Sequence, residues 1–137
     1  VESAYDFLNY DTTLHNDARR YESGTLNTAG IAGMKASIEL LLEVGIARIS
    51  ERILLLTEII FDGLSDKGYI TLSSRLHDDR SGIVTFRHPN RQTAEILAIL
   101  RQASVICTER GDHIRLSPHF YNTEDEIATA LAALPQT

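Results

Sequence analysis

The run from Ile46 to Leu64 constrains this chain most. Ile46, Ile49, Ile53, Leu56, Ile60 and Leu64 recur at steps of three and four, the period of one helix face. Arg48, Glu51, Arg52 and Glu58 fall on the opposite face, which reads as solvated. A helix patterned this way must lay its stripe on another layer of structure, so an all-β fold is excluded. A second stripe precedes it, made of Ile31, Met34, Ile38, Leu41 and Leu42, and Asn27 or Thr28 can cap its start. Gly45 lies between the two stripes. The pattern therefore predicts two consecutive helices, or one long helix broken near Gly45.

The remaining chain supplies the other layer. Asp66-Lys67-Gly68 reads as a turn, followed by a short strand from Tyr69 to Leu72. Ser81 to Phe86 is a second strand, rich in β-branched residues, reached through the polar loop His77 to Arg80. Asn90 can cap a third helix with Ile96, Leu97 and Leu100 inward, and Val105 to Cys107 forms a third strand. Gly111-Asp112 is a hairpin turn signal. Over residues 113–117 Ile114 and Leu116 take one face of a fourth strand and Arg115 the other. Thr123 and Glu126 have capping-box spacing before a last helix that buries Ile127, Leu131 and Leu134 and stops at Pro135. The expected class is α+β, with a small, mostly antiparallel sheet covered by helices.

Residues 28–137 account for all of these elements. Residues 1–27 carry Tyr5, Phe7, Tyr10 and Tyr21 among polar residues, without a sustained period. They read as a linker and active-site segment arriving from a larger domain. A first residue of Val rather than Met fits a chain cut from a longer protein. The net charge of −6 and the lack of a basic stripe argue against nucleic-acid binding. No apolar run reaches membrane-spanning length. A single cysteine suits a reducing compartment, so a cytoplasmic location is expected.

Two places could carry chemistry. Gly24-Thr25-Leu26-Asn27 leads into the first helix, where a glycine lets an anion approach the backbone and a hydroxyl adds a donor. The same residues can equally be an ordinary loop and cap. Arg115, flanked by core residues on its strand, can grip a carboxylate through two parallel N–H bonds. It can also be a plain arginine on the solvated side of a sheet. His15, His77, His88, His113 and His119 lack zinc-site spacing, so no metal is expected. There is no nucleophile elbow. No strand leads into Gly30-Ile31-Ala32-Gly33, so these small residues read as helix packing and not as a dinucleotide site. Cys107 reads as a packed strand residue.

The segment Arg20-Tyr21-Glu22-Ser23-Gly24-Thr25-Leu26-Asn27 resembles the Arg-aromatic-Glu-x-Gly-Thr-x-Asn motif of class V aminotransferases and cysteine desulfurases. The run from Ile114 to Glu124 is similar to the arginine-bearing end of the same family, and the two motifs come in the family's order. The resemblance covers nearly the whole chain and points to the C-terminal small domain of a fold-type I pyridoxal-phosphate (PLP) enzyme, usually a homodimer acting on an amino acid. It implies that Gly24 and Thr25 reach the cofactor phosphate of the partner subunit and that Arg115 holds the substrate's α-carboxylate. Arg20 and Glu22 would fix the loop or form a structural ion pair.

The resemblance also shows departures. The chain's lysines are Lys35 and Lys67, and neither fits the family's cofactor lysine, which usually follows a histidine. No catalytic residue is therefore expected within this chain. On its own it should be inactive and should not bind PLP tightly, relying instead on its large domain. The connection from Thr108 to Arg115 is short and carries no cysteine, which disfavours desulfurase chemistry, and the ending Ser117-Pro118-His119-Phe120-Tyr121-Asn122 is more similar to the aminotransferase or isopenicillin-epimerase-like branch. The alternative is a non-enzymatic α+β module that binds a small ligand or another protein.

Overall fold

The computed structural model describes residue 8, residues 12–22 and residues 24–137. Tyr5, Phe7, Tyr10 and Ser23, invoked above, lie outside the described residues. The chain divides into two compact units, Val1–Leu40 and Leu41–Thr137.

In the first unit, a 3-10 turn spans Ala18–Tyr21, capped by the Asp17 carboxylate, which accepts from Arg19 N at 3.0 Å. Helix α1 covers Thr28–Val44 and so crosses the unit boundary. Of the two candidate caps, Asn27 does the work: its Oδ1 accepts from Gly30 N at 2.9 Å. Helix α1 buries none of its residues, and its stripe stays open, with Met34 59% and Leu42 65% exposed.

The second unit contains the sheet. Gly45, at φ 93°, ends α1 and starts helix α2, Ile46–Asp66. A left-handed backbone of this kind favours glycine, which is why the helical pattern breaks there. Strands β1 (Ile70–Thr71), β2 (Val84–Arg87), β3 (Thr108–Arg110) and β4 (His113–Leu116) form one antiparallel sheet in the order β1-β2-β4-β3. Helices α3 (Thr93–Gln102) and α4 (Glu124–Ala133) join α2 in the core, which centres on Leu56, Ile60, Leu64, Phe86, Ile96 and Leu100. Each such side chain, once buried, contributes roughly 1.5–3 kcal/mol. The α+β class and the order of elements match the sequence expectation.

Several expectations need correction. Val105 to Cys107 is not a strand: β3 begins at Thr108. Val105 N instead donates to Leu100 O at 2.9 Å, closing the end of α3, so the chain joins the ladder only from Thr108. Strand β2 starts at Val84 and not at Ser81. The Ser81 hydroxyl accepts from Ile83 N at 3.3 Å, a local bond that competes with a ladder. Asn90 does not cap α3, whose N-cap is Gln92 without a side-chain bond. The imidazole of buried His88 instead accepts from Asn90 N (3.0 Å) and Arg91 N (3.1 Å) through Nδ1. Arg52 and Glu58 are not simply solvated. Arg52 pairs with Glu124 and donates to Asn122 O at 2.9 Å, and Glu58 pairs with Arg75 and Arg80.

Candidate functional site

Arg115 lies at the middle of β4, which is itself an inner strand with β2 on one side and β3 on the other. Its neighbours Ile114 and Leu116 turn into the core, 1% and 8% exposed. The pleat then sends Arg115 to the opposite face of the sheet, between Thr85 of β2 and Thr108 of β3. The guanidinium is half-buried, and its Nε is buried without a hydrogen-bond partner. A buried N–H left unpaired costs about 1–3 kcal/mol, a cost Arg115 shares with Arg80 Nε.

Gly24 and Thr25 belong to the other unit and are both exposed. A Cβ built on Gly24 would meet nothing within 4 Å, so the backbone there is open to a bulky group. The first turn of α1 contains no acidic residue to oppose an anion. Much of the helix start is already engaged, however. Thr28 N donates to Leu26 O (2.8 Å), Gly30 N to Asn27 Oδ1 and Ile31 N to Asn27 O (2.9 Å). The donors suited to an anion are thus the Gly24–Thr25 backbone and the Thr25 hydroxyl more than the helix itself. This donor set, with its open space and no acidic residue in the first turn of α1, fits a phosphate group.

The flanking motif residues bond upstream, around the 3-10 turn. Arg20 Nε donates to His15 O at 2.8 Å, and Glu22 N to Arg19 O at 3.0 Å. Arg19, whose guanidinium grips Asp17, brings that carboxyl down to about 2. Lys35 pairs with Glu39 at 3.6 Å along α1. Lys67 Nζ donates to Leu134 O at 2.7 Å, tying the end of α2 to the end of α4. Cys107 is half-buried against the core, and burial pushes its thiol pKa up, the reverse of an activated nucleophile.

The His119-Phe120-Tyr121 run after β4 forms an aromatic corner. His119 stacks on Tyr121 (centroids 4.8 Å, 25°), and its backbone N donates to Asn122 Oδ1 at 2.8 Å. The only sequence signal for it is the dense His-Phe-Tyr-Asn run itself. Among the described residues, no three His, Cys, Asp or Glu side chains gather as a metal site, and no helix is long and apolar enough to cross a membrane.

An antiparallel sheet covered by helices on one side, with Arg115 presented on the other, defines an α+β domain. The chain belongs to the Aminotransferase class-V family, whose profile matches residues 4–129. It is 28% identical over 122 residues to an uncharacterized aminotransferase, YcbU, of Bacillus subtilis (strain 168), covering 89% of this chain and 32% of that protein. It is 30% identical over 127 residues to a probable cysteine desulfurase of Methanothermobacter thermautotrophicus, covering 79% and 31%. The apo structure of the cysteine desulfurase from Thermococcus onnurineus NA1 superposes with a TM-score of 0.79 at 25% identity, covering 88% of this chain and 33% of that one. The chain thus spans about a third of the length of the relatives it matches. Enzymes of this family use pyridoxal phosphate.

Proposed function

We propose that the chain is the C-terminal small domain of a PLP-dependent, class V aminotransferase-like enzyme acting on an amino acid in the cytoplasm. The observation that carries this reading is Arg115: half-buried, aimed away from the core and left with an unpaired Nε. Its role is to bind the substrate's α-carboxylate. A guanidinium fork holding both carboxylate oxygens fixes the rotation of the amino acid, and so decides which bond at Cα is aligned for cleavage. The cofactor, when bound, supplies the electron sink for that cleavage.

Gly24 and Thr25 are assigned to the cofactor phosphate of a partner subunit in a homodimer. Their exposure and the open space at Gly24 support this role. The exposed stripe of α1 supports a neighbour that covers it, either the enzyme's large domain or the partner subunit. The lysine that carries the cofactor is assigned to the large domain, since Lys35 and Lys67 are both engaged locally.

The test is Arg115→Ala in the full-length protein. Substrate affinity should fall about 10- to 100-fold, the worth of a charged hydrogen-bond pair. PLP affinity, read from the visible absorption of the bound cofactor, should stay within about twofold. Unchanged substrate affinity would remove Arg115 from the site.

A further inference from the structure

The face of the sheet that presents Arg115 carries more positive charge than one carboxylate needs. His113 pairs with Arg110, and the β2–β4 register carried one residue past Phe86↔Ile114 sets Arg87 on its other side, so the three form one row across β2, β4 and β3. Arg115 stands in the next row on the central strand, diagonal to both Arg87 and Arg110. Direct neighbours in such rows have Cβ atoms about 4.5–5.5 Å apart and diagonal ones about 7–8 Å, so long arginine stems can converge above His113.

Two further observations bear on this cluster. Arg87, Arg110 and Arg115 form no ion pair among the described residues, as Arg20, Arg48 and Arg101 also do not, but these three stand together on one face of the sheet. No acidic strand residue shares their face: Glu109 is in register with Ile114 and so belongs to the other side. Asp112 in the turn holds His113 Nδ1 at 2.6 Å, and Asp112 and Glu109 line a pocket together with Arg87. Three guanidiniums on one face that form no ion pair repel one another, and an anion seated among them relieves that repulsion.

We propose that Arg87 and Arg110 form a second anion subsite beside Arg115, so that the preferred substrate bears a second anionic group, a carboxylate or a phosphoryl group, on its side chain. This rests on the reading of Arg115 as the α-carboxylate anchor. A small dianion fits better than a polyanion. Arg87, His113 and Arg115 are half-buried, with only Arg110 fully exposed, and the chain's overall charge opposes a large acidic partner.

The experiment is calorimetric titration of the full-length protein with succinate, 3-phosphonopropionate and butyrate. At least one dianion should bind about tenfold tighter than butyrate, and whichever binds tighter identifies the second group as carboxylate or phosphoryl. In the double variant Arg87→Gln, Arg110→Gln that preference should fall to about twofold or less. Butyrate affinity should be retained, and this also reports that the variant is folded. Equal affinity for all three ligands in the wild type, or a preference that survives the double variant, would overturn the subsite. Arg115→Gln is read separately: it should weaken all three ligands. If it weakens butyrate while the double variant changes nothing, the anchor stands and the second subsite fails. If it leaves butyrate unaffected, the anchor itself fails.

Discussion

Gly63 sits where α2 meets α4, and replacing it with alanine tests how tightly that crossing is set. A Cβ at this position would lie 2.9 Å from Leu131 Cδ2 and 3.1 Å from Cγ, with Cδ1 closer still. Two terms compete. Alanine is a better helix residue than glycine by about 0.8–1.0 kcal/mol. Against this, Leu131 must swing out of its half-buried place against the core, or the helices must separate. Losing half of a leucine's burial costs about 1 kcal/mol, and overpacking costs about 1–3 kcal/mol. The net expectation for Gly63→Ala is a loss of roughly 0.5–2 kcal/mol. In a Leu131→Ala background the obstacle is gone, and the same change should stabilise by about 0.8 kcal/mol. The assay is urea unfolding of the four proteins of this cycle, in which 1 kcal/mol moves the midpoint by about 0.5 M. A change of sign between backgrounds is the signature. Stabilisation by Gly63→Ala in both backgrounds would refute the claim that Leu131 fills the space beside Gly63.

Other expectations concern local features. Thr123→Ala removes the hydroxyl that accepts from Glu126 N at 3.2 Å, and should cost about 1 kcal/mol in thermal or chemical unfolding. Glu124, held down to about 2 chiefly by its hydrogen bonds with Arg52, should titrate there by NMR and return toward the usual carboxylate range in Arg52→Gln. Because its folded pKa is depressed, the stability it contributes is present above about pH 4.5 and is lost as pH falls toward about 2. Tyr69, whose phenol is pushed up to about 12 by burial, works in the opposite direction. Its contribution is intact below about pH 10 and declines as pH rises toward 12, by about 1–2 kcal/mol, and Tyr69→Phe should flatten that decline. Cys107 should react slowly with a thiol reagent at neutral pH and gain reactivity only on unfolding. Fast labelling of the native protein would contradict its burial.

The parts of the fold that follow a local rule were legible in the sequence. The α2 stripe, the Gly45 break, the Gly111 turn and the Thr123–Glu126 box each depend on residues within a few positions of one another. The corrected parts turn on bonds that residue type and spacing do not announce. Val105 is held by Leu100 O at the end of α3, and the His88 imidazole takes the Asn90 and Arg91 N–H groups ahead of α3. Helix charges such as Arg52 and Glu58 alternate as a solvated face would, yet find partners far along the chain. The outward direction of Arg115 was readable from alternation. Its unpaired Nε, and its company with Arg87 and Arg110, emerge only from the register of three strands.

The two candidate sites differ in how much of their order the fold itself supplies. Arg115 is carried on an inner strand, hydrogen-bonded along both edges and anchored by buried neighbours on either side in sequence. Its backbone can move only if the sheet opens, so little entropy remains to be lost there when a carboxylate arrives. Gly24 and Thr25 have no such support: they are exposed, and the local bonds stop at the Asn27 cap. A loop of that kind gains affinity for an anion mainly when something else orders it. Carboxylate binding at Arg115 should therefore survive conditions that strip away neighbouring domains or subunits, whereas any phosphate contact at Gly24 and Thr25 should depend on them.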